Sequence, residues 1–185
     1  MNPMTNQSYE FAVFAGGCFW CMEGPFTALK GVTEVRSGYC GGQTANPGYE
    51  EVCTGRTGHY EAVRIKYNPD EISYSRLLDI FWRQIDPTDP AGQFYDKGSQ
   101  YKTAIFYFND EQKVLAETSK KELEASGRFN KPIVTGILPA SPFYEAEEYH
   151  QEYHRKSENR YKAYRSQSGR DQFLEIHWGA VKDEG

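Results

Sequence analysis

The segment AVFAGGCFWCMEGPF, Ala12 to Phe26, restricts what this chain can fold into more than any other stretch. The apolar run from Tyr9 to Ala15 reads as a buried strand, and Gly16-Gly17 ends it in a tight turn. A helix can begin at Cys18 and run toward Leu29, although Gly24-Pro25 limits how regular its early part can be. The fold must therefore seat a cysteine, two large aromatics and a second cysteine at a strand-to-helix junction. Such a junction suits a metal knuckle, a dithiol switch, an activated nucleophile or a packed corner.

Free cysteines are most often small buried hydrophobes. At Cys18 the two preceding glycines remove bulk, and a helix start favours an anion at the sulfur, which predicts a lowered thiol pKa and a nucleophile. Phe19 and Trp20 cannot both face one core from the first turn of a helix, so at least one borders an aromatic-walled pocket. A zinc site would use Cys18 and Cys21 as one half, but Cys40 and Cys53 are separated by twelve residues rather than two, so no metal is expected.

Further along, Val32 to Ser37 is a second strand. Ser37 to His59 is too glycine-rich for regular structure and too aromatic for an idle linker, so it reads as a functional loop. EAVRIKY, Glu61 to Tyr67, alternates, with Val63, Ile65 and Tyr67 on one face. Glu61 shares that face by parity, which predicts partial burial, a raised pKa and a neutral acid able to donate a proton. Ser73 caps a helix carrying Tyr74, Leu77, Leu78, Phe81 and Ile85, and Asp86-Pro87 with Asp89-Pro90 open a second long loop. Tyr101 to Phe108 is a strand. Asn109 and Gln112 resemble a capping box for a helix that runs to Ser126 and stops at Gly127. Ile133 to Leu138 is another strand, and Ser141-Pro142 starts a helix. The interspersed order predicts an α+β fold in a single domain, a two-layer α/β sandwich around a mixed sheet with long active-site loops.

On the last predicted helix His150 and His154 stand four residues apart, with Tyr149 and Tyr153 on adjoining stripes. The intervening Gln-Glu-Tyr misplaces the glutamate for a zinc protease, so this face is expected to pack beside the site, with His150 and Tyr153 as substrate-binding candidates. His59 stands ready to orient a loop. A Cys/His hydrolase using Cys18 stays open at this point, without an identified oxyanion hole.

A net charge of −5 argues against a nucleic-acid or anionic-membrane role, since both need a basic footprint. From Arg155 to Arg170 basic residues do dominate, and this stretch reads as a solvated tail, from about residue 157, lying over the domain. Residues 1–8 are polar and read as a flexible end without a secretory signal, no run reaches membrane-spanning length, and a cytoplasmic monomer is expected.

The strings GGCFWCMEGPF, GVTEVRSGYCGG, NPGYEEVCTGRTGHYEAVRIKYNP, FYDKGSQYKTAIF and PFYEAEEYHQEY together resemble peptide methionine sulfoxide reductase of the A class, from about Tyr9 to Tyr164. The resemblance implies a ferredoxin-like core and reduction of the S epimer of methionine sulfoxide, peptidyl or free. It implies that Cys18 attacks the sulfoxide sulfur and becomes a sulfenic acid. Phe19 and Trp20 would wall the S-methyl group, Glu61 would protonate the oxygen with help from Tyr49 and Tyr101, and Asp96 would bind the substrate backbone or order the site. It implies no bound cofactor, with thioredoxin or another thiol as reductant. Many such proteins carry recycling cysteines in a C-terminal tail, whereas here none follows Cys53. Cys21 is then the first resolving candidate, Cys40 the second for its flexible loop, and Cys53 the third; direct reduction by an external thiol is the remaining route. The residues alone also fit a thioredoxin-like dithiol exchanger using Cys18 and Cys21.

Overall fold

The computed structural model describes residues 8–179. Its elements are β1 (Glu10–Gly16), α1 (Phe19–Thr27), β2 (Val32–Cys40), α2 (Tyr49–Cys53), β3 (Tyr60–Tyr67), α3 (Tyr74–Trp82), β4 (Gly92–Gln93), β5 (Asp96–Lys97), β6 (Thr103–Tyr107), α4 (Asp110–Ala125), β7 (Gly136–Pro139), β8 (Tyr144–Glu145), α5 (Tyr153–Lys156), α6 (Glu158–Ser168) and α7 (Arg170–Trp178). Apart from Ser8, the end expected to be flexible lies outside the described residues, as does the tail from position 180.

Six strands form one mixed sheet in the order β7-β6-β1-β3-β2-β8, with β6 and β7 parallel and the other pairs antiparallel. Helix α1 joins β1 to β2 and α3 lies between β3 and β6, so β6-β1-β3-β2 is the split βαβ arrangement of a ferredoxin-like core. Strand β1 is central because it is apolar on both faces. Ala12 and Phe14 enter the main core beneath α1, α3 and α4, while Val13 and Ala15 join Cys40, Ala62, Ala104 and Phe106 in a smaller cluster on the other face. Phe14 anchors the main core, stacked on Phe81 at 4.9 Å and 5.8 Å from Phe26.

The caps follow the sequence closely. Ser73 accepts the Arg76 amide, and Asn109 accepts the Gln112 amide. The Gln112 side chain reaches back to the Phe108 amide rather than to Asn109, and its NH2 also donates to Phe11 O, which ties α4 to β1.

Four expectations change. The Ser37–His59 stretch is partly regular: pairing with β3 carries β2 to Cys40, and Tyr49–Cys53 forms α2. No helix starts at Ser141. The chain there stays extended and β8 pairs with β2, with Phe143 packed over Gly38, where a side chain would meet Tyr144 O at 2.4 Å. His150 falls in a 3-10 turn and His154 in α5, separated by Glu152 at φ 52, so they share no helix face. The basic stretch is not simply solvated either, because Arg170 is 1 % exposed.

Removing the Phe14 ring leaves a cavity among three aromatic neighbours, so Phe14→Ala should destabilise the fold by about 3–5 kcal/mol, read from urea unfolding.

Candidate active site

Gly17 takes φ 84, and Gln93 packs so closely that a Cβ at Gly17 would lie 2.6 Å from it. This left-handed turn delivers Cys18 to the cap position of α1 at the end of the central strand. The Cys21 amide donates to Cys18 O at 3.1 Å, which sets the two thiols side by side, close enough for each to shift the other's pKa. Cys18 is 7 % exposed and Cys21 is fully buried.

Glu61 lies on the apolar face of β3, 2 % exposed, where its period-2 partners Val63 and Ile65 are also buried. Its Oε2 accepts the Phe19 amide at 3.1 Å, one residue from Cys18. Burial raises the Glu61 pKa to about 8, opposed by the Phe19 N–H and reinforced by Asp96 and Cys21, so the carboxyl holds its proton at neutral pH.

The expected lowering of the Cys18 pKa is not found. Burial pushes the thiol well above its ordinary value, and its hydrogen bond with Cys21 and the charges of Glu61 and Asp96 add to the shift. A helix start contributes roughly 0.3–1 kcal/mol to an anion, whereas full burial moves a pKa by up to about 3–5 units, so desolvation wins. Cys21 moves the other way. The bond from Cys18 is the largest cause, burial opposes it, and Arg170 and Arg165 lower it further.

Phe19 turns inward at 1 % exposure, 5.8 Å from the Tyr39 ring and 5.0 Å from His150. Trp20 is half-buried, stacked on Tyr153 at 3.9 Å and edge-on to Tyr164, and its indole N–H donates to His150 Nδ1 at 3.1 Å. His150 and Tyr153 therefore set the plane of Trp20. The His150 Nε2 atom is buried without a partner among the described residues.

Tyr49 opens α2 beside His150, at 4.5 Å between rings, and its amide is held by Glu147, which also accepts the Tyr39 hydroxyl. Tyr101 closes a 3-10 turn, Ser99–Tyr101. Burial raises the pKa of both tyrosines, with the Glu61 charge contributing in each, so both keep their protons. Asp96, on the β4–β5 hairpin, accepts the Tyr164 hydroxyl from α6. His59 pins the intervening loop, accepting the Gly42 amide at Nδ1 and bonding Thr44 O through Nε2.

The other two cysteines exchange ranks. Cys40, expected in a flexible loop, ends β2 at 1 % exposure within the smaller core cluster, on the sheet face opposite Tyr39 and Glu61. Cys53 is exposed at the end of α2, near enough to the Tyr49 and Tyr101 side chains for both to act on its pKa. Tyr164, Arg165, Arg170 and Glu147 were not singled out by the sequence. Their residue types were visible, but their contacts span 68 to 154 positions for the tail residues and 98 to 108 for Glu147. Among the described residues no group of three or more His, Cys, Asp or Glu could hold a metal ion.

A family model described as peptide methionine sulfoxide reductase matches residues 10–182. The chain belongs to the peptide methionine sulfoxide reductase family. It is 59 % identical to peptide methionine sulfoxide reductase MsrA of Bacillus licheniformis over 175 residues, covering 95 % of this chain and 97 % of that one. The Bacillus subtilis MsrA is 57 % identical over 175 residues, covering 95 % and 99 %. Among solved structures, reduced Mxr1 of Saccharomyces cerevisiae superposes with a TM-score of 0.76 at 32 % identity, covering 81 % of this chain and 86 % of that one. Methionine sulfoxide reductase A of Corynebacterium diphtheriae gives 0.72 at 34 %, covering 81 % and 76 %. The reductase is thus a peptide-methionine (S)-S-oxide reductase, returning the S epimer of methionine sulfoxide to methionine.

The raised Glu61 pKa also sets a stability profile for the reductase. The folded carboxyl titrates at about 8 and the unfolded one at about 4.3, so between these values the folded state holds a proton that the unfolded state has released. Stability from this group therefore falls as pH rises through that window and levels off above it. Glu61→Gln should remove the slope: urea unfolding should find the variant more stable than the parent at pH 8, with the advantage vanishing toward pH 4.

Proposed function

We propose that Cys18 is the nucleophile, Glu61 the proton donor, and Tyr49 and Tyr101 the neutral donors at the sulfoxide oxygen. The observation that carries this reading is the 3.1 Å bond that fixes the uncharged Glu61 carboxyl to the amide next to Cys18. As the Cys18 sulfur bonds to the sulfoxide sulfur, electron density builds on the oxygen. Glu61 protonates that oxygen, and the tyrosine hydroxyls stabilise it in a site largely closed to water. The Cys18 proton passes to the Cys21 sulfur, to which it is hydrogen-bonded. The S–O bond then breaks as the hydroxyl passes to the Cys18 sulfur, the transient bond between the two sulfurs breaks with it, the sulfoxide sulfur is thereby reduced to a thioether, and methionine leaves with Cys18 oxidised to the sulfenic acid.

Phe19 and Trp20 receive the S-methyl group. His150 and Tyr153 bind substrate chiefly by orienting Trp20, with the free His150 Nε2–H offered to a substrate oxygen. Asp96, held by Tyr164, takes a substrate backbone amide. Cys21 then resolves the sulfenic acid, because it already touches Cys18, whereas Cys40 lies across the sheet. Thioredoxin or a similar dithiol reduces the resulting disulfide. The related yeast Mxr1 has been solved in complex with Trx2, which supports this class of partner. No metal or prosthetic group enters the cycle. We place the protein in the cytoplasm, since its four free thiols suit a reducing compartment. Among the described residues no helix is long and apolar enough to cross a membrane.

Cys18→Ser should abolish methionine formation from a methyl sulfoxide. Appreciable residual turnover would remove the nucleophile assignment. Cys21→Ser should still release one methionine per enzyme in a single turnover while thioredoxin-driven cycling collapses. Undiminished cycling would pass the resolving role to Cys53 or to an external thiol.

A further inference from the structure

Arg170 is the bulkiest of the fully buried side chains, at 1 % exposure, and it comes from the first position of α7. Its guanidinium donates to Gln84 O at 2.7 Å and Gly16 O at 3.1 Å, and touches Met22 Sδ at 3.9 Å. The Phe94 ring covers it at 4.7 Å, and among the described residues Nε has no partner. Every hydrogen bond of the group thus goes to a neutral atom. Among the described residues none of the ion pairs includes it. A buried cation is strongly unfavourable without negative groups nearby; Asp96, whose charge Arg170 favours, is one such group, and a Cys21 thiolate would be a second.

The guanidinium lies against the turn that carries both cysteines, since a Cβ at Gly17 would stand 3.1 Å from Nη2. Arg165, one turn earlier on α6, donates to Cys21 O at 3.3 Å and to the Tyr161 hydroxyl, while Asp171 takes its Nε–H. Two guanidiniums from the C-terminal segment therefore converge on the turn that carries this buried thiol. The bland alternative is a pair of staples holding α6 and α7 to backbone carbonyls.

We propose that Arg165 and Arg170 are positioning residues that form the counterion for a Cys21 thiolate, so that Cys21 rests as the anion and Cys18 as the thiol that donates to it. This rests on the reading of Cys21 as the resolving cysteine and supplies its electrostatic cause. After the first half-reaction Cys21 has accepted the Cys18 proton, and the arginines favour its return to the Glu61 carboxylate. The Cys21 thiolate then attacks the sulfenic sulfur. The S–S bond forms, the S–O bond breaks, and the leaving hydroxide takes the Glu61 proton and departs as water. An external dithiol later reduces the disulfide. The groups facing Cys21 are Cys18 on its own turn, Glu61 on β3, Asp96 on β5, Tyr161, Tyr164 and Arg165 on α6, and Arg170 on α7. The two arginines are the cations among them.

The test is a pH titration of thiolate ultraviolet absorbance in the full chain carrying Cys18→Ser, Cys40→Ser and Cys53→Ser, where Cys21 is the sole thiol. Cys21 should titrate below the free-thiol value of about 8.5. Adding Arg170→Met should raise its midpoint by about one unit, a tenfold loss of thiolate at acid pH, while Arg170→Lys keeps it low. Arg165→Met and Arg165→Lys repeat the comparison at the second cation. A midpoint at or above the free-thiol value, which needs no arginine substitution to observe, overturns the proposal; so does a midpoint indifferent to both methionine variants. Disulfide mapping of the parent enzyme after one turnover judges the resolving role separately: a Cys18 bond to a cysteine other than Cys21 removes that role, whatever the titration gives.

Discussion

The hydrogen bond between the Phe19 amide and the Glu61 carboxyl links the middle of the sheet to the first turn of α1, and the reacting groups take their places from it. A free amide at a helix start would ordinarily favour an ionised carboxylate. Here the carboxyl is so thoroughly removed from water that burial outweighs the amide, and the group stays neutral. The same burial keeps Cys18 protonated in the resting site. Glu61 and Cys18, proposed as acid and nucleophile, are both stored uncharged.

The polar rim of the pocket is assembled from distant parts of the chain. Glu147 clamps Tyr49 to Tyr39, and Gln151 bonds the Ser37 amide and carbonyl together with Ala146 O, holding the segment that carries His150 against β2. From the far end of the chain, Tyr164 secures Asp96, and Arg170 closes over Gly17 beside Gln93. Chain length at the C-terminus is thus spent on enclosing the cysteine turn.

Much of this was legible in the residue order. Gly16-Gly17 before Cys18 marked the turn, because only glycine adopts the φ of 84 that Gly17 needs without strain. Parity along EAVRIKY put Glu61 among core residues, since a strand offers only two faces. The caps at Ser73 and Asn109 were equally plain. Local rules failed where the tertiary environment decides. Helical spacing in the YHQEYH stretch was overruled by pairing of β8 with β2, and the Cys40 loop became a strand end because β3 extends alongside it.

The sequence by itself determined the strand-turn-helix motif, the thiol at its apex and the face on which the acid would lie, because each depends on neighbours within a few residues. Only the tertiary structure decided which cysteine meets Cys18, which one lies across the sheet, and where the buried cations sit. Desolvation and Coulomb interaction depend on everything packed around a group, and here that surrounding is drawn from residues up to 154 positions away.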